Sequence, residues 1–286
     1  MSAIIIDGRA VAAKHREEVR ERTALLKERG INPCLAVILV GEDPASLSYV
    51  RGKQKALAQA GMEGKDIRLG HACSEEELLS IISSLNADRK VHGILVQLPL
   101  PSHISQERII NAIDPKKDVD GFHPLSLGKL MLEEPCFWPC TPQGIVVLLK
   151  ELKIPVAGKD VVVVGRSNIV GRPLSLLLSR RDLNATVTLC HTATLDLGQH
   201  TRRADILIAA AGKPGLIRGD MIKKGAALID VGICRVPDNS PKGYHLAGDI
   251  NFEEAVELAG WITPVPGGVG PMTIAMLMRN LLQAAE

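Results

Sequence analysis

The sequence predicts an α/β chain of two domains, and three observations carry that prediction. Short apolar runs that read as strands alternate with helical patterns from end to end, the rhythm of parallel βαβ units. The rhythm breaks in CFWPCTPQG at 136–144, a stretch rich in Pro and Cys, which places a boundary near Cys140. A second series of strands then opens with DVVVVG at 160–165 and runs straight into a glycine turn.

The first series begins with the strand CLAVILVG, followed by a helix over 46–60. IRLGHAC reads as the next strand, EEELLSIISSLN as a helix and HGILVQLPLP as a third strand. Beyond the boundary IVVLLKEL is helical, and ATVTLCHT, ADILIAAAG and GAALIDVG complete a compact nucleotide-binding unit with DVVVVG. ITPVPGGVGP is a Pro/Gly loop, and MTIAMLMRNLLQAAE has the Met, Leu and Ile spacing of a final buried helix.

Composition narrows the classes of function. A chain of 286 residues, 46% apolar and 23% charged, is well able to pack a core, which argues against disorder. Thirty-four basic and 32 acidic residues give a formal charge of +2 without a basic block, so no nucleic-acid or membrane partner is expected, only small molecules. Apolar runs such as LAVILV fall far short of the roughly 18 residues a membrane span needs. MSAIIIDG lacks the basic start and apolar stretch of a signal peptide, so a cytoplasmic location is expected. The cysteines are scattered through apolar contexts, as suits a reducing compartment. Cys136 and Cys140 are near one another but have no second Cys/His pair, so no metal is expected.

SYVRGKQKA at 48–56 sets Tyr49 and Lys53 one helical turn apart on one face. A Tyr-x-x-x-Lys pair is the signature of short-chain dehydrogenases, but there the Gly-rich nucleotide loop precedes the pair. Here it follows, far downstream, at Gly165. On spacing alone Lys53 reads first as a solvated surface lysine and Tyr49 as an aromatic at the core edge. Asp120 reads first as a turn residue before Gly121.

In VVVVGRSNIVGRP a strand enters a turn at Gly165 and a helix starts before Pro173, a geometry that offers backbone N–H groups to a phosphate. Glycines stand at 165 and 171 with Ser167 between them, which is not the standard dinucleotide spacing. NAD-binding folds usually carry an acid about 20 residues further on for the ribose 2′-hydroxyl. ATVTLCHT ends in Cys190, His191 and Thr192 with no acid, whereas Arg166 and Thr192 supply the cation and hydroxyl that a 2′-phosphate wants. The sequence therefore leans to NADP.

Taken together, PASLSYVRGKQKA, GILVQLPLP, KDVDGFHPLSLGKL, PCTPQG, VVVVGRSNIVGRP, ATVTLCHT, ADILIAAAGKPG, LIDVGI, LAGDIN and TPVPGGVGPMT resemble the bifunctional methylenetetrahydrofolate dehydrogenase/methenyltetrahydrofolate cyclohydrolase family, in the family's order. The resemblance implies a βαβ catalytic, folate-binding domain over 1–140 plus 271–286, to which the C-terminal helix returns. It implies a Rossmann-type NADP-binding domain over 141–270, and a folate cleft faced by the Tyr-x-x-x-Lys helix. It also implies a homodimer formed through the nucleotide domains, and a place in one-carbon metabolism and purine biosynthesis. After the His of the second nucleotide strand, where the family commonly has Ser and then a basic residue, this chain has Thr192 and Ala193, which removes one expected contact to the 2′-phosphate.

By the same resemblance the catalytic residues are Lys53, Tyr49, Gln97 and Asp120. Lys53 moves protons in the hydrolysis, Tyr49 stacks on the folate and orients the lysine, and Gln97 hydrogen-bonds Lys53. A cationic neighbour and partial burial are expected to prepare Lys53 for that work. Asp120 accepts paired N–H bonds from the pterin edge. Ser46, Leu98, Pro266, Gly267 and Gly268 join Tyr49, Gln97 and Asp120 around the substrate, although the glycines serve equally to permit a sharp turn. Cofactor contacts fall to Gly165, Arg166, Ser167, Ile169 and Gly171, to His191 and Thr192, to Gly212 and Lys213, and to Gly232, Ile233 and Thr273. On its spacing His191, like His123, reads as structural or peripheral, with no paired acid. Retention of Lys53 and Gln97 argues against a dehydrogenase with little cyclohydrolase activity. Retention of Lys53 and the Gly165 loop argues against a non-catalytic nucleotide sensor.

Overall fold

A computed structural model describes residues 3–241 and 243–286, with side chains at all of these except Pro44, Ala45 and Ser48. In chain order the first elements are β1 (Ile4–Ile5), α1 (Gly8–Glu28), β2 (Cys34–Val40), α2 (Pro44–Gln59), β3 (Glu63–Leu69), α3 (Glu75–Ala87) and β4 (Gly93–Val96). Next come α4 (Gln106–Ala112), α5 (Pro124–Met131), α6 (Cys140–Glu151), β5 (Asp160–Val164), α7 (Gly171–Ser179), β6 (Thr186–Cys190), α8 (Leu197–Thr201) and β7 (Ile206–Ala209). The remainder are β8 (Ala227–Asp230), β9 (Cys234–Pro237), β10 (Tyr244–Ala247), α9 (Phe252–Ala255), β11 (Trp261–Ile262) and α10 (Val269–Ala285).

The chain divides into two compact units. One holds 13–140 and 274–286, the other the residues up to Ala12 together with 141–273. The expected boundaries gave the first dozen residues to the folate-binding domain. They group with the nucleotide unit instead, because β1 pairs in parallel with β11 and Ala3 lies in that unit's core. The last helix is likewise divided, at 273/274 rather than at 270/271.

In the unit of 13–140 and 274–286, three parallel strands stand in the order β3-β2-β4. β2 is buried at all seven positions, which is why its sequence is an unbroken apolar run. β3 differs from the expected strand at 67–73: it starts at Glu63 and ends at Leu69. As an edge strand that is mostly exposed it tolerates EGKD, so apolar content marked its end but not its start. α2 starts on Asp43, whose Oδ2 accepts the Ser46 N–H at 2.8 Å, a cap worth about 1 kcal/mol.

The other unit carries a six-stranded sheet in the order β1-β11-β8-β7-β5-β6. Every pairing in it is parallel. Numbered from β5 and leaving out the β9–β10 hairpin, β6-β5-β7-β8-β11 is the doubly wound order 2-1-3-4-5, with the order reversing between β5 and β7. In the three-stranded sheet the corresponding reversal lies between β2 and β4. Ligands of open α/β sheets bind beyond the strand carboxyl ends at such reversals. A separate antiparallel hairpin, β9-β10, follows β8.

Candidate functional site

Beyond β2 the chain turns into α2, and beyond β4 it continues as Gln97-Leu98-Pro99. The Gln97 N–H donates to Ile38 O at 2.8 Å, which extends the β2–β4 ladder to the residue that leaves the sheet. α2 buries Ser46, Val50, Lys53 and Leu57, and its C-cap residue Ala60 continues these spacings of three and four into one core-facing stripe. Lys53 is therefore a lysine in the middle of an apolar stripe, 8% exposed, and not the solvated lysine that spacing alone suggested. Its Nζ donates to Gln97 Oε1 at 3.0 Å. The Gln97 Nε2 donates to Leu98 O at 2.8 Å, and this second bond orients the amide so that its oxygen faces the lysine. Tyr49, one turn earlier, is 45% exposed, and burial of the rest of its ring raises the phenol pKa.

Asp120 is half-buried near Lys53. Desolvation raises its carboxyl pKa, while the Lys53 charge and a hydrogen bond with the Cys140 thiol pull it back down. The charged group that interacts with Lys53 is thus the Asp120 carboxylate, where the sequence reading expected a cationic neighbour. Asp118, not Asp120, holds the turn: its Oδ2 accepts the His123 N–H at 2.8 Å and the Ser126 hydroxyl at 3.4 Å. Gly121 has φ +73°, and a Cβ there would press on Pro139 N at 2.7 Å, so the glycine serves the turn while the Asp120 carboxylate stays available. Two residues to which the sequence reading gave no role in the site support this corner. Cys140 is buried, its thiol pKa pushed well up by desolvation and then by Asp120. Asn280, fully buried, donates through Nδ2 to Val119 O at 2.8 Å and Trp138 O at 3.0 Å. Both lay inside segments read as a linker and a core helix, where nothing in the spacing marks a buried polar contact.

Pro266, Gly267 and Gly268, expected around the substrate, belong to the unit that holds the six-stranded sheet. Within that unit a Cβ at Gly268 would reach Thr263 Cβ at 2.6 Å and Pro264 O at 2.8 Å, and Gly267 has φ +118°. Close approach at Gly268 and the positive φ at Gly267 are what the turn itself asks of these two glycines.

At the β5/β7 reversal Gly165 has φ +121°, and a Cβ would overlap the Ala210 carbonyl beyond β7. A Cβ at Gly171 would overlap the Gly165 carbonyl. The Ser167 hydroxyl accepts the N–H groups of Val170 at 3.2 Å and Gly171 at 3.4 Å, closing the turn into α7. The backbone N–H groups of 166–169 have no acceptor among the described residues, which is the state an anion cradle requires. Arg166 is exposed and makes no ion pair with a described residue, and Ile169 is 37% exposed. At the end of β6 Thr192 is exposed, while His191 Nδ1 accepts the Ala193 N–H at 3.2 Å. His191 thus spends one ring nitrogen on its own turn.

Beyond β7 and β8 the loops carrying Gly212, Lys213, Gly232 and Ile233 are tied to two buried acids that the sequence reading passed over, Asp249 and Asp230. Thr273 Oγ1 is hydrogen-bonded to Thr141 Oγ1 at 2.9 Å. The residues at this reversal fit a dinucleotide phosphate: a glycine-framed turn with unpaired backbone N–H groups, an exposed cation and no acid at the end of β6. Among the described residues no group of three or more His, Cys, Asp or Glu side chains is placed to hold a metal.

Residues 6–120 match the family described as tetrahydrofolate dehydrogenase/cyclohydrolase, catalytic domain, and 139–286 its NAD(P)-binding domain. The bifunctional protein FolD of Moorella thermoacetica is 56% identical over 286 residues, all of both chains. The solved structure of the bifunctional enzyme FolD, methylenetetrahydrofolate dehydrogenase/cyclohydrolase, from Campylobacter jejuni is 48% identical with a TM-score of 0.94, covering 99% of each chain. That of the Trypanosoma brucei methylenetetrahydrofolate dehydrogenase-cyclohydrolase, complexed with NADP and an inhibitor, is 42% identical with a TM-score of 0.95, covering 99% of this chain and 97% of that one.

Proposed function

The chain belongs to the tetrahydrofolate dehydrogenase/cyclohydrolase family, and from that membership we infer that it is a bifunctional, NADP-dependent enzyme of one-carbon folate chemistry. It oxidises 5,10-methylenetetrahydrofolate to 5,10-methenyltetrahydrofolate and hydrolyses the latter to 10-formyltetrahydrofolate. NADP, when bound, supplies the hydride acceptor for the first reaction. The Gly165–Gly171 turn holds its phosphates on unpaired N–H groups, and Arg166 with Thr192 meets the 2′-phosphate. Contacts from Ile169, His191, Gly212, Lys213, Gly232, Ile233 and Thr273 are assigned to the same nucleotide. NADP binding goes to the unit with the six-stranded sheet and the proton chemistry to the unit of 13–140 and 274–286.

The observation that carries the hydrolytic half is the Lys53–Gln97 hydrogen bond at the β2/β4 reversal. Water adds to the methenyl carbon and passes a proton to Lys53 as the neutral amine. The resulting carbinolamine then loses its hydroxyl proton as the bond from carbon to N5 breaks, and Lys53 returns its proton to N5. One proton leaves in the overall step. Gln97 holds the amine without adding a charge, and Asp120 steadies the charged form between the two transfers while accepting the pterin N–H edge. Tyr49 stacks on the folate, with Ser46 and Leu98 assigned to its surroundings.

We also assign a homodimer, a cytoplasmic location and the supply of formyl groups to purine biosynthesis. No helix of the described residues is long and apolar enough to cross a membrane. Two assays on the full chain test the activity: reduction of NADP with methylenetetrahydrofolate, and hydrolysis of supplied methenyltetrahydrofolate with no nucleotide present. Both are expected to proceed, and oxidation without hydrolysis would return the protein to the dehydrogenase reading. Sedimentation at micromolar concentration is expected to show a dimer, and a monomer alone would remove that assignment.

A further inference from the structure

Neither half-reaction uses the carboxylates of Asp249 and Asp230, which are 0% and 4% exposed. No cation among the described residues pairs with either. Backbone N–H groups face them instead. Asp249 Oδ2 accepts from Ala211 at 2.5 Å and Gly212 at 3.0 Å, and Oδ1 accepts from Lys213 at 2.7 Å. Asp230 Oδ1 accepts from Gly232 at 3.0 Å and Asp249 at 2.9 Å, and Oδ2 from Ile250 at 2.8 Å. The two acids therefore form a relay: Asp230 seats the backbone that carries Asp249 and holds the turn beyond β8, and Asp249 gathers three successive N–H groups of the loop beyond β7.

Burying two unpaired carboxylates side by side is costly, since each must be stripped of water and each repels the other. Desolvation, with repulsion from Asp249 adding to it, raises the Asp230 pKa to about 6. Nearby backbone has been shaped to accommodate them. A Cβ at Gly232 would overlap the Asp249 carboxylate, and a Cβ at Gly248 that of Asp230. All this cost falls on the loops beyond β7 and β8, one of which borders the β5/β7 reversal.

We propose that Asp249, seated by Asp230, is a positioning residue for the cofactor, fixing the 211–213 backbone and tying it to the 232 turn so that both loops meet NADP in one preset shape. The proposal rests on the nucleotide assignment made above.

Asp249→Asn in the full chain tests it, because the amide keeps the size but sets an N–H₂ against N–H donors. Calorimetric titration with NADP is expected to show affinity weakened by at least about tenfold, with hydrolysis of supplied methenyltetrahydrofolate within about twofold of the wild-type rate. Asp230→Asn is expected to weaken NADP in the same direction by less. Wild-type NADP affinity in Asp249→Asn would overturn the proposal. So would a parallel fall in hydrolysis and NADP affinity, which marks a general structural role. If Asp249→Asn does not fold, Asp230→Asn decides by the same two readouts. Failure of the wild-type chain to bind NADP would instead sink the nucleotide assignment itself.

Discussion

The segment beyond β4 and the turn beyond β5 occupy the same kind of place, the carboxyl end of a strand where the sheet order reverses, yet they are built from opposite materials. At the first, the groups on offer are side chains: Lys53 on Gln97, with Asp120, Cys140 and Asn280 behind them. At the second the groups on offer are mainly backbone: Gly165 and Gly171 frame the turn, and the N–H groups of 166–169 have no acceptor among the described residues. The difference follows from the work. Moving a proton needs a titratable group held at one point, and burying that group raises the cost of misplacing it. Holding a phosphate needs many weak donors spread over a surface, which backbone supplies without desolvating a charge.

The largest consequence falls on the side-chain site. Lys53→Met keeps the length of the chain but removes the amine, and methenyltetrahydrofolate hydrolysis is expected to fall by roughly 10²- to 10⁴-fold, the usual worth of a placed acid–base group. A rate near wild-type would show that Gln97 and Asp120 surround a lysine that does no chemistry.

The next consequence concerns the acids behind the backbone site. With a folded pKa of about 6 against 3.8 for the free group, Asp230 binds its proton more tightly in the native state. Its contribution to stability is therefore most favourable below the unfolded pKa and is lost as pH rises from about 4 to 6, on the order of 3 kcal/mol. Denaturant unfolding at a series of pH values is expected to show that downward slope in the wild type and its loss in Asp230→Asn. Identical slopes in the two proteins would contradict it.

A smaller effect separates cation from cradle. Arg166→Ala removes a charge-assisted contact worth about 1.5–3 kcal/mol, roughly ten- to 150-fold in affinity, and only NADP offers the group that loses it. Position 193 is alanine, so no basic residue follows Thr192 to share the phosphate with Arg166, and the variant is expected to approach indifference between NADP and NAD. Equal losses for both, measured as Michaelis constants, would mean that Arg166 shapes the loop.

What could be read in the sequence divides along the same line. β2, β5, β7 and β8 announce themselves because buried parallel strands are continuous apolar runs. α1 did not, since its buried Ala12, Val19, Thr23 and Leu26 are sparse among charged residues, and the β9–β10 hairpin is half-exposed with no apolar run. Lys53 and Tyr49 could be paired from helical spacing, but only the fold shows that Lys53 lies on the buried stripe. Asp249 and Asp230 could not be found at all. Their partners are backbone N–H groups brought together by strand order, and backbone donors leave no mark on residue type.

If the two reversals work as separable sites, Lys53→Met leaves the second intact, and titrating that protein with NADP shows whether it does. The expected result is an NADP dissociation constant within about twofold of wild-type in a protein that no longer hydrolyses methenyltetrahydrofolate. Affinity for NADP weakened tenfold or more in step with the lost hydrolysis would contradict it.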